Sequence, residues 1–89
     1  MADTNLPRTG LAQAAARFPE AAAALRRLAL RDPEFREICE EYALARESLA
    51  GFEARPDAAE RPEIGDYRVM IVEIENEIHR RLREAGPGD

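Results

Sequence analysis

Glu75 and His79 stand four residues apart near the C-terminal end of the chain. On a helix that spacing sets a carboxylate and an imidazole one turn apart on the same face, an arrangement that could hold a metal ion or move a proton. A ferritin-like di-metal helix requires Glu three residues ahead of His, and residue 76 is Asn. Cys39 could add a thiolate if a hairpin brought it to His79, but no third ligand presents itself. The expectation is an ordinary pair on a helix surface and no metal site.

Cys39 could instead act as a nucleophile. A reactive thiol needs electropositive surroundings, whereas its own segment supplies Glu37, Glu40 and Glu41. It is expected to pack as a small buried hydrophobe. The glycines lie scattered at 10, 51, 65, 86 and 88, which excludes a phosphate-cradling loop. No nucleophile, base and oxyanion donor can be assembled, so the reading is not an enzyme, with no catalytic residue and no cofactor.

Arg26, Arg27 and Arg31 could contact phosphates, with Arg17 and Arg36 nearby. No aromatic residue is interleaved with them to stack on bases, and the longer segments that follow are acidic, which repels a polyanion. Nucleic-acid binding through these arginines is therefore the alternative reading. Membrane contact is also disfavoured, because the apolar side of residues 20–31 is mainly Ala and Leu, as helix packing requires.

These side chains have to be positioned by a chain of 89 residues and 10.0 kDa. That is one small domain, which needs very regular helix packing, a metal, disulfides or oligomerisation to be stable. A single cysteine forms no intrachain disulfide and fits a reducing compartment, so the expected location is the cytoplasm. No apolar run approaches the roughly 20 residues that span a bilayer, and the first residues do not read as a signal peptide. Net charge is −5, divided unevenly: residues 1–31 come to +3, residues 32–55 to −4 and residues 56–89 to −4. Such asymmetry can mark a self-associating or partner-binding surface.

The apolar pattern is helical throughout. Residues 1–10, with Pro7 and Gly10, are expected as a flexible N-terminal tail. Leu11, Phe18 and Leu25 then recur at heptad spacing in a first helical segment over 11–31, which should kink or restart at Pro19, with the firm helix at about 20–31. Asp32 followed by Pro33 is a restart signal: an N-cap acceptor and then a first-turn residue that needs no donor. From there Phe35, Tyr42 and Leu49, with Ile38, Ala45 and Phe52, form a heptad seam over 33–53. Residues 54–66 carry two prolines and a glycine and read as a connector. A last helix over about 64–84 shows Ile64, Ile71 and Ile78 with Tyr67 and Ile74 between, and Gly86-Pro87-Gly88 ends it before a C-terminal tail at 86–89.

Two matching stripes joined by a short connector predict a long antiparallel helical hairpin, preceded by a shorter N-terminal helix in an all-α fold. Val69 and Val72 lie away from the seam, which leaves more apolar surface on the last helix than one partner covers. The first helix, a second copy or another protein must cover it.

The spacing of Leu25, Leu28, Pro33, Phe35, Ile38, Cys39, Tyr42, Leu49 and Glu53, followed after the connector by Ile74, Glu77, Ile78 and Leu82, resembles the YdcH-like proteins. These are short bacterial helical hairpins without an assigned biochemical function. The resemblance covers roughly residues 22–84, with Ala45 in place of a larger apolar residue and no Lys-rich stretch in the second helix. It implies a hairpin that self-associates, and it carries over no catalytic residue. The functional expectation is a small protein-protein interaction or assembly module, a homo-oligomer or an adaptor for a protein partner. Its interaction residues are Phe35, Ile38, Tyr42, Leu49, Val69, Val72, Ile74 and Ile78.

Overall fold

Proline and aspartate set the element boundaries. A computed structural model describes residues 10–86, and among them every regular element is helical: α1 (Gly10–Arg17), α2 (Ala22–Arg31), α3 (Pro33–Glu53) and α4 (Pro62–Ala85). Phe18 leaves the helical region at φ −121°, ψ 67°, and Pro19 opens a 3-10 turn over Pro19–Ala21 before α2 begins. At Asp32 the extended backbone ends α2, and the Asp32 carboxylate accepts the Phe35 N–H at 3.2 Å, capping α3 while Pro33 fills its first position. Arg36 donates to the Ala29 carbonyl near the end of α2, so the corner between α2 and α3 is tied from both sides. The connector after α3 turns through Arg55 and Asp57, paired at 3.0 Å, and a 3-10 turn over Ala58–Glu60 leads into α4. Gly86, at φ +86°, ends α4 in a backbone region that L side chains rarely adopt.

The long helices run antiparallel. Phe52 meets Tyr67 with ring centroids 5.7 Å apart, Tyr42 meets Glu75 at 2.7 Å, and Glu34 meets Arg81 at 3.3 Å. Positions descending α3 therefore face positions ascending α4. Against this hairpin lies a second layer made of α1 and α2, with α1 on α3 and α2 across both long helices. The molecule measures 47 × 35 × 21 Å; the short dimension is about two helix diameters of 10–12 Å, as two layers require.

The core sits between the layers: Ala14, Phe18, Leu25, Leu28, Ala29, Phe35, Cys39, Tyr42 and Ile78. Enclosing a Phe, Leu or Ile side chain contributes about 1.5–3 kcal/mol each, so this cluster is what holds α1 and α2 to the hairpin. The first helical segment is divided at Pro19 into α1 and α2, and Gly10, expected in the tail, is the buried first residue of α1. Its lack of a side chain explains the placement: a Cβ there would fall on the Cys39 carbonyl and 2.5 Å from Glu40 Cα. Gly10 and Ala14 on α1 and Cys39 and Ala43 on α3 are all small and buried at i, i+4 spacing, which lets the two backbones approach closely. The remaining residues of both expected tails, 1–9 and 87–89, lie outside the described residues.

Candidate interaction surface

Where α1, α3 and α4 meet, one polar junction is set into the apolar core. Tyr42 is fully buried, and its hydroxyl donates to Glu75 Oε2 at 2.7 Å while accepting from Arg46 at 3.1 Å. Arg17 Nε reaches the same Glu75 oxygen at 3.2 Å. Burial, and next the hydrogen bond to Glu75, push the Tyr42 phenol above its usual range. Glu75 is thus engaged by Tyr42 and Arg17, while His79 rests edge-on against the Phe18 ring at 4.7 Å. The i,i+4 pair expected on the helix surface is redirected by these cross-helix partners, and the junction orients three helices rather than presenting a reactive group.

Cys39 is fully buried beside Gly10, and burial, followed by the Glu40 charge, raises its thiol to about 11. A thiol so far above neutrality stays protonated and unreactive. Among the described residues no group of three or more His, Cys, Asp or Glu could hold a metal ion. No helix among them is long and apolar enough to cross a membrane.

Arg26 and Arg27 are exposed on the outer face of α2, and Arg31 borders a shallow depression shared with Asp32, Arg81 and Glu84. That mixture of charges does not concentrate a positive field. The aromatic rings of Phe18, Phe35 and Tyr42 are enclosed in the core, and the Phe52–Tyr67 pair lies at the connector end of the hairpin. The structure therefore brings no stacking surface to these arginines.

The hairpin residues named from sequence divide into three groups. Phe35, Tyr42 and Ile78 are enclosed within the chain; they build its own core and are not open to a partner. Ile38, Leu49 and Ile74 are half-buried along the seam. Val69 and Val72 remain 60% and 54% exposed, on a strip of α4 between Arg68 and Glu73 that faces away from the seam. A separate groove of about 390 Å³ lies between α3 and α4, lined by Glu41, Leu44, Ala45, Ser48, Tyr67, Met70 and Ile74. Leu44 and Met70, 65% and 44% exposed, form its rim. Neither was singled out as an interaction residue from sequence, although both are large apolar residues beside the seam and not in it, and that offset is the signal that could have found them.

Comparison of the chain with protein-family models, with curated proteins and with solved structures gives no match.

Proposed function

We propose that this chain is a small helical interaction module that self-associates through the apolar surface of its hairpin, without catalysis, in the cytoplasm. The observation that carries the reading is the uncovered groove of Leu44, Ala45, Tyr67, Met70 and Ile74, with Val69 and Val72 also exposed on α4. Exposed apolar side chains clustered along one layer mark a surface that gains by burial against another protein. The Tyr42 junction and the Asp32 cap of α3 are already satisfied by intrachain partners. The spacing shared with the YdcH-like hairpins points in the same direction.

Absolute mass by size-exclusion chromatography with light scattering, over a tenfold concentration range, tests the proposal. Self-association gives a mass above 10.0 kDa that rises with concentration. Met70→Asp, at an exposed rim position, should lower that mass while leaving the melting temperature unchanged. Ile74→Asp, at a half-buried position, should lower both. A mass of one chain at every concentration would refute self-association, and an Ile74→Asp variant identical to wild type in both readouts would refute the packing on which it rests.

A further inference from the structure

Residues 26–30 read Arg-Arg-Leu-Ala-Leu and residues 40–44 read Glu-Glu-Tyr-Ala-Leu. In both stretches the third and fourth residues, Leu28 and Ala29 in α2 and Tyr42 and Ala43 in α3, are turned into the core. The first, second and fifth face out: Arg26, Arg27 and Leu30 on α2, and Glu40, Glu41 and Leu44 on α3, all six exposed. Leu30 and Leu44 are the two most exposed large apolar residues described. None of the four charged side chains forms an ion pair among the described residues.

From this match we infer that the outer face of α2 in one copy docks in parallel on the outer face of α3 in a second copy. Leu30 then meets Leu44 at the edge of the groove, and Arg26 and Arg27 lie beside Glu40 and Glu41. The charges are complementary and the register is the same in both helices, so one alignment satisfies both the apolar and the ionic contacts. Antiparallel docking with the leucines in contact would carry the arginines past these glutamates to the level of Glu47 and Ser48. Because the two faces differ, the contact either closes reciprocally as a two-fold dimer or propagates head to tail, as a larger ring or an open filament. The inference rests on self-association as the function and names the surfaces that achieve it. It also gives a use to the uneven charge of the chain, basic through residue 31 and acidic beyond it.

Light scattering on four full-length chains tests this: wild type, R26E/R27E, E40R/E41R and the variant carrying all four changes. Wild type should assemble, and its mass should fall between about 0.05 M and about 0.5 M salt as screening shortens the reach of the charges. Each double variant alone should remain at the mass of one chain at concentrations at least tenfold higher, with an unchanged melting temperature. The fourfold variant, with both signs exchanged, should regain assembly, and so should an equimolar mixture of the two double variants. An R26E/R27E chain that assembles like wild type would overturn the α2–α3 contact while leaving self-association through another surface intact. A wild type of single-chain mass throughout would overturn both. Salt-dependent binding of labelled single-stranded RNA that R26E/R27E abolishes, without any change in mass, would also overturn the contact and assign the arginines to phosphate.

Discussion

Replacing Tyr42 with Phe removes one oxygen from the centre of the molecule and leaves the ring against Phe18, whose centroid lies 6.3 Å away. Two hydrogen bonds are lost, the 2.7 Å bond to Glu75 and the 3.1 Å bond from Arg46. Hydrogen bonds to charged groups contribute about 1.5–3 kcal/mol when both partners are enclosed. Neither partner is enclosed here: the Glu75 side chain is 18% exposed and keeps Arg17, and Arg46 is open to solvent. Water can take up much of the vacated bonding, so the expected loss is about 1–2 kcal/mol, nearer the neutral-bond range. For a domain of this size that is a fall in melting temperature of roughly 4–8 °C per kcal/mol. The assay is urea unfolding followed by circular dichroism, on wild type, Tyr42→Phe, Glu75→Gln and the double variant. The cycle should return a coupling of about 0.5–1.5 kcal/mol between the two positions. Additive losses, or a Tyr42→Phe variant as stable as wild type, would refute the claim that this junction fastens α3 to α4.

Two other predictions concern the layer made by α1. Gly10→Ala puts a methyl group where the α3 backbone lies, so the N-terminal end of α1 must lift; a destabilisation of about 1–3 kcal/mol is expected in urea unfolding, and a neutral or stabilising result would contradict the close approach. The Cys39 thiol holds its proton more tightly in the folded chain, at about 11 against an ordinary 9.0. Its stabilising contribution is therefore complete below about pH 9 and is lost as pH rises through about 11. Tyr42, raised for the same reason of burial, adds a loss that begins higher, above its ordinary 10.0. Stability measured from pH 7 to 11 should decline on the alkaline side, and Cys39→Ala should flatten the earlier part of that decline; an unchanged slope would contradict the burial.

The hairpin was legible because its signal is apolar and periodic. Phe35, Tyr42 and Leu49 against Ile64, Ile71 and Ile78 spell two facing stripes, and Asp32-Pro33 marks a boundary through a cap that needs only local chemistry. The close packing of α1 on α3 was not legible. Gly10, Ala14 and Ala15 bury little area each, so their pattern carries almost no hydrophobic signal, and their value lies in how near they let α3 come. The polar junction was hidden for another reason: Glu75 finds Tyr42 and Arg17 across helices, at sequence separations of 33 and 58, where no local spacing rule applies. Reading Glu75 with His79 alone followed the nearest neighbour on the same helix. The surplus apolar surface was visible at Val69 and Val72, but which side of the hairpin α1 and α2 would leave open depended on the packing itself.

Asp32 is the only residue between α2 and α3, and it acts as a fixed mitre between two rods. With the Asp32 cap on one side and the Arg36 contact to Ala29 on the other, the angle at this corner has little freedom. If α2 of one copy lies along α3 of the next, the same angle recurs at each added copy, and its value fixes the curvature of the whole series. Dimer, larger ring or filament, and the number of copies per turn, would then be decided by the conformation of a single aspartate, so that lengthening this corner by one or two residues should change the size of the assembly without touching either contact surface.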